Sequence, residues 1–441
     1  MMTEKQSGIL KNAERHMVGG CSAGGRFHAI NKGPLYVARA DGSKLYDIDG
    51  REYIEYHNSA GPMLYGYNNP EINAAVDQAM RAGNFINFET PYHAELAELV
   101  CGIIPCAEMM RLHNSGTEAT MAATRLARGY TNREIIIKME GHFHGMNENI
   151  WFNHNAVGKM DEIGEIESIP ETLGVPRCFS SVIKNVEYND IDALERVVGR
   201  YKDRVACVIL EPISFNCGCY PARREYLQKV RALCDKEGIV LIFDEVITGF
   251  RIRPGSAQAY YGVTPDLTTL AKAMGGGFPI AATVGRKKVM QSLNPTGGVC
   301  SSGTSTGALM PVLAAIACMK IVKRPDFFDK LEATGNALYG GMNDLFKKHG
   351  VPGHVHGLGA RFGIYFGVED PEMIYNWRQT AKHYDKEMNT RFIQSALDNG
   401  LYFHDYGTSP VPPHNGFGLA HTAEDVAVTL EKMDQIFKVL K

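Results

Sequence analysis

Five apolar residues in a row, Ile239-Val240-Leu241-Ile242-Phe243, run directly into two acids, Asp244 and Glu245. A run this short, rich in β-branched and aromatic types and with no polar residue alternating through it, reads as a strand buried on both faces of a parallel sheet. In open α/β sheets ligands bind beyond the carboxyl ends of the strands, so Asp244 stands where a site is expected. Lys272 follows in the sequence, just ahead of Gly275-Gly276-Gly277.

An acid and an amine at the ends of two buried elements admit a plain reading, an ion pair at the sheet rim. They also admit a chemical one. A lysine beside a glycine-rich turn can form a Schiff base with pyridoxal 5'-phosphate (PLP), and a carboxylate can keep the pyridinium nitrogen protonated so that the ring withdraws electrons. The chemical reading demands a phosphate cradle elsewhere. Asn114-Ser115-Gly116-Thr117-Glu118 precedes a run of helix formers, with Ser115 or Thr117 as natural cap, and free N–H groups at a helix start bind phosphate.

Strings around these parts resemble the class III, fold-type I PLP aminotransferases: NSGTEATMAATRLARG at 114–129, EGHFHG at 140–145, FDEVITGFR at 243–251 and YYGVTPDLTTLAK at 260–272. The nearest likeness is to glutamate-1-semialdehyde 2,1-aminomutase and related β-amino-acid transaminases, from about residue 19 to the end. The resemblance implies that Ser115, Gly116 and Thr117 hold phosphate, that Phe143 and Val246 cover the two ring faces, and that Asn216 meets the pyridine hydroxyl region. It implies Asp244 at the ring nitrogen, Lys272 as the Schiff-base lysine, and Thr304 reaching the cofactor of a neighbouring subunit in a homodimer. Arg26 matches an arginine that grips the substrate carboxylate. Arg361, at the start of its strand, is a candidate second carboxylate contact, although rim arginines are most often solvated.

The chain departs from the aminomutase pattern where substrate would lie. Ala60 stands in place of a tryptophan, Ala23 near a serine, and Pro412-Pro413-His414-Asn415 where a glutamate is found. A methyl group in place of an indole opens room for a different substrate. The expected activity is therefore transfer of an amino group between a carboxylate-bearing amino acid, such as a β-amino acid, and a 2-oxo acid. The aminomutase and an amino-acid racemase or epimerase are the alternatives within the same cofactor chemistry. A dinucleotide-binding module is disfavoured, because no G-x-G-x-x-G follows the first strand and no P-loop is present. His142 and His144 lack an obvious third ligand, as do Cys217 and Cys219, so no metal is expected.

The fold class follows as α/β. Apolar strands at 135–137, 207–210, 240–243 and 281–284 alternate with helical stretches, which implies a mostly parallel doubly wound sheet. Turn signals at Asp41-Gly42 and Asp49-Gly50 mark an antiparallel meander. With 441 residues the chain exceeds one ordinary core, so the expected division is an arm and small-domain strands at 1–70, a PLP-binding large domain at 71–310, and a C-terminal small domain at 311–441. Residues 153–181 read as an irregular, functional or mobile loop, and 402–415 as a loop at the active-site mouth. A net charge of -3 with 22% charged residues gives no global pull toward nucleic acid or membrane. The ten cysteines read as thiols of a cytoplasmic protein.

Overall fold

The computed structural model describes residues 2–405, 407 and 409–440; of the expected mouth loop, Tyr406 and Thr408 lie outside the described residues. Its centre is a seven-stranded sheet in the spatial order Met109–His113, Ala281–Gly285, Leu267–Leu270, Val240–Asp244, Val205–Leu210, Ile135–Met139, Ile183–Val186. Every pairing is parallel except the two made by Ala281–Gly285, which runs antiparallel to both neighbours. The architecture is the α/β one expected, with a mostly parallel sheet at its centre.

The Val240–Asp244 strand occupies the middle of this sheet, as its composition requires. It pairs in register with Val205–Leu210 on one side and Leu267–Leu270 on the other, and all of its residues are buried. Removing a side chain of this size from water contributes about 1.5–3 kcal/mol, so the strand is anchored far more firmly than the acid it carries. Asp244 and Lys272 are brought together because the strands that precede them are parallel neighbours. Three strands that alternation alone did not reveal complete the sheet: Met109–His113 and Ile183–Val186 at its edges, and Leu267–Leu270 inside it.

The N-terminal meander forms as expected: Val37–Asp41, Lys44–Asp47 and Glu52–Glu55 pair antiparallel, and Leu401–Tyr402 joins the third strand in parallel. Arg361–Phe366 is the middle of a second small sheet, between Gly353–Leu358 and Asn415–Gly416. Helix Leu309–Val322, buried along most of its length, belongs to the largest apolar cluster together with Leu96, Ile104 and Phe392. The stretch before Arg177–Ser181 is irregular from 153 onward. No helix among the described residues is long and apolar enough to cross a membrane.

Candidate active site

The strand Met109–His113 hands over to helix Gly116–Thr131 through Asn114 and Ser115. Ser115 is extended, and its hydroxyl accepts the Glu118 N–H at 3.2 Å, while the Glu118 carboxylate reaches back to the Asn114 N–H at 2.7 Å. The N–H groups of Gly116 and Thr117 are thereby left at the helix start, where the dipole favours an anion. Gly116 lies close against Val246: a Cβ there would lie 3.1 Å from both of its methyls. The residue after Asp244 but one is thus packed against the helix start.

Asp244 is 4% exposed and three donors converge on it. His144 Nδ1 donates to Oδ2 at 2.8 Å, while the Thr269 hydroxyl (2.9 Å) and the Val246 N–H (3.1 Å) donate to Oδ1. Burial holds His144 below its ordinary pKa, although the hydrogen bond to Asp244 opposes the shift. The neighbouring Glu245 points elsewhere. It is buried among Thr248, Ala257 and Gln258, which all donate to it, so of the two acids at the strand end only Asp244 lines the cavity.

Phe143 is fixed through its backbone, its N–H donating to Glu211 Oε1 at 3.0 Å, and the Asn216 amide donates to the same oxygen at 3.0 Å. Burial first, and then the negative Asp244, push the Glu211 carboxyl up to about 7. The loop carrying Phe143 and His144 is braced from the C-terminal part of the chain. Trp377 packs so closely on Gly141 that a Cβ would lie 2.5 Å from its ring, and Arg378 forms a two-pronged pair with the buried Glu140 at 2.6 and 3.0 Å.

Lys272 adopts φ +46°, a left-handed conformation that is strained for a side chain of this kind and that clusters at functional sites. Burial, followed by the guanidiniums of Arg361 and Arg251, lowers its pKa to about 7. Both arginines are completely buried. They brace a turn in which Asn58, Ser59 and Ala60 are all left-handed: Arg361 donates to the His57 carbonyl at 3.1 Å and Arg251 to the Gly61 carbonyl at 2.8 Å. Arg361 is therefore not the solvated rim residue that its position suggested. Its guanidinium threads between Gly61 and Gly416, where a Cβ would lie 2.5 and 2.6 Å from its nitrogens.

Ser115, Gly116, Thr117, Phe143, Asn216, Asp244, Val246 and Lys272 line one cavity of about 300 Å³. Other predicted residues lie apart from it. Arg26 is exposed on a single helical turn and donates to the Ser22 hydroxyl, Ala60 is half-buried in the left-handed turn, and Thr304 is exposed. The sequence reading missed His144 as the partner of Asp244, Arg251 as a neighbour of Lys272, and the brace by Trp377 and Arg378. For His144 a signal existed, since it ends the glycine-bounded GHFHG stretch; for the others there was none. Among the described residues no group of three or more His, Cys, Asp or Glu is arranged to hold a metal ion.

The cavity fits a planar heterocycle with an anionic tail: its lining combines a helix start, a carboxylate held by three donors, and an amine. The sequence profile described as aminotransferase class-III matches residues 28–437. The chain belongs to that family. An omega-transaminase from Sphaerobacter thermophilus is 30% identical, with 98% of this chain and 97% of that one covered and a TM-score of 0.90. A beta-phenylalanine aminotransferase from Variovorax paradoxus is 27% identical (97% and 92% covered, TM-score 0.83). A glutamate-1-semialdehyde aminomutase from Pseudomonas aeruginosa PAO1 shares the fold at 20% identity (99% and 95% covered, TM-score 0.87). This aminotransferase uses PLP.

Proposed function

We propose that the protein moves an amino group between a carboxylate-bearing amino acid, a β-amino acid or close analogue, and a 2-oxo acid, with Lys272 as the residue that carries PLP as a Schiff base. The observation that supports this best is the placing of the Lys272 amine in one cavity with Asp244 and the Ser115-Gly116-Thr117 helix start. When bound, PLP supplies an electron-withdrawing ring that stabilises negative charge on the adjoining substrate carbon.

The chain's residues have distinct tasks in this reading. Gly116 and Thr117 N–H groups and the Ser115 hydroxyl hold phosphate. Asp244, oriented by His144 and Thr269, would hold the ring nitrogen protonated, and Phe143 and Val246 would cover the ring. Asn216, turned by Glu211, faces the ring hydroxyl. The Lys272 amine, whose pKa burial and the nearby guanidiniums lower toward neutrality, would serve as the group that takes the proton from the substrate carbon and returns it. The exposed Thr304 completes the phosphate site of a second copy, so the working unit is a homodimer. Arg361 and Arg26 are the carboxylate contacts, and Ala60 leaves space where a larger side chain would close it. We assign the cofactor site to residues 71–310 and the covering small domain to 1–70 and 311–441.

Borohydride reduction of the holoenzyme followed by peptide mapping tests the assignment. The pyridoxyl mass is expected on Lys272, and Lys272→Ala is expected to lose turnover. A label on another lysine, or near-normal multiple turnover by the variant, would sink it.

A further inference from the structure

The irregular stretch that begins at 153 packs its first residues against the loop carrying Phe143. The Gly141 N–H donates to the Asn153 carbonyl at 2.7 Å, and His154 Nδ1 donates to the Gly141 carbonyl, also at 2.7 Å. A carbonyl only accepts, so the His154 proton sits on Nδ1 and the imidazole is held by a directed bond. Its ring lies against that of Phe143, with centroids 5.1 Å apart and planes tilted by 53°, inside the range in which aromatic rings attract.

His154 is in turn fixed from below. The Glu171 carboxylate gathers the successive N–H groups of His154 (2.8 Å), Asn155 (3.0 Å) and Ala156 (3.3 Å), an arrangement in which consecutive backbone donors enclose one anion. The Asn153 side chain ties the same turn to the returning chain: its amide donates to the Glu167 carbonyl at 2.9 Å, and its Oδ1 accepts the Ile169 N–H at 2.8 Å. Arg378 spans both segments, since besides Glu140 it donates to the Gly158 carbonyl at 2.7 Å.

The bond from the Phe143 N–H to Glu211 fixes the backbone of Phe143 but leaves its side-chain torsions open. A ring packed against it restricts them, and a side chain ordered in advance loses less freedom when a ligand arrives. We propose that His154 is a positioning residue for the cofactor: locked by the Gly141 carbonyl, its ring holds the Phe143 ring in place at the cavity wall. The inference rests on Phe143 covering the PLP ring and deepens that reading by giving the stretch from 153 a task.

A double-mutant cycle tests it on the full-length protein, with PLP affinity from fluorescence titration and the visible circular dichroism of the bound cofactor as readouts. Loss of the ring contact and of the bond that locks it predicts a Kd for PLP roughly tenfold higher in His154→Ala, with altered visible dichroism at saturating PLP. In a Phe143→Ala background the same change is expected to move Kd less than about twofold, because nothing is left to position. Should His154→Ala not fold, His154→Asn, which keeps a donor for the Gly141 carbonyl and removes the ring, takes its place in the cycle. A loss as large in the Phe143→Ala background as in the unaltered protein, or a Kd and dichroism unmoved by loss of the imidazole, overturns the inference. If Phe143→Ala alone weakens PLP binding while the cycle shows no coupling, only the role of His154 falls. If Phe143→Ala leaves both readouts unchanged, the ring contact assigned to Phe143 falls and the role of His154 with it.

Discussion

With the cofactor removed, Lys272 is expected to titrate near neutrality. A free lysine holds its proton up to 10.5, whereas burial and then the guanidiniums of Arg361 and Arg251 bring this one to about 7. That span corresponds to about 5 kcal/mol in favour of the neutral amine. The unfolded chain keeps the proton up to 10.5 while the folded chain releases it near 7. The apoprotein therefore carries the whole penalty below pH 7 and gains stability as pH rises from 7 to 10.5. Only the neutral amine attacks a carbonyl, so the rate of PLP capture by apoprotein, followed by absorbance against pH, reads the same titration. The expected profile rises to an inflection near pH 7 and is flat above it. Arg361→Met removes the largest neighbouring charge. A cation in a partly screened interior contributes on the order of 1–3 kcal/mol, so the inflection moves up by about one to two pH units. A wild-type profile still climbing at pH 9, or a variant whose inflection stays in place, would refute the electrostatic account of Lys272.

Three further expectations follow from the contacts around the cavity. His144→Leu removes one of three donors to the buried Asp244, a loss of about 1.5–3 kcal/mol, and fluorescence titration should show PLP bound roughly 10- to 100-fold more weakly. Gly116→Val puts branched carbon where even a single Cβ meets Val246 at 3.1 Å, so the purified variant is expected to lack visible absorbance while keeping its circular dichroism. Arg378→Met leaves the 2%-exposed Glu140 without its partner, which costs roughly 3 kcal/mol and should appear in calorimetry as a lowered Tm.

What could be read from the sequence was what local chemistry determines. The apolar run ending in Asp244, the cap at Ser115 and the glycines after Lys272 each announce their conformation within a few residues, and all three converge on one cavity. Arg361 shows where such reading stops. Nothing near it in the sequence tells that Gly61 and Gly416, from distant parts of the chain, open a slot that buries its guanidinium completely. The same holds for Trp377 against Gly141 and for Arg251 against the Gly61 carbonyl, contacts between residues far apart in the sequence. The edge strand Met109–His113 was harder to see than Val240–Asp244 for a related reason, and the buried Leu267–Leu270 was missed because two threonines interrupt its apolar run. Met109–His113 is only partly buried over most of its length and contains Arg111, so it lacks the continuous apolar signature of Val240–Asp244.

The visible spectrum of the purified protein, followed as a single β-amino acid is added without acceptor, tests the central claim most directly. Stoichiometric bleaching with release of a keto product, and return of the colour on adding a 2-oxo acid, is the predicted result. Colour that returns unaided while glutamate-1-semialdehyde is converted to 5-aminolevulinate would contradict it and make the protein an aminomutase.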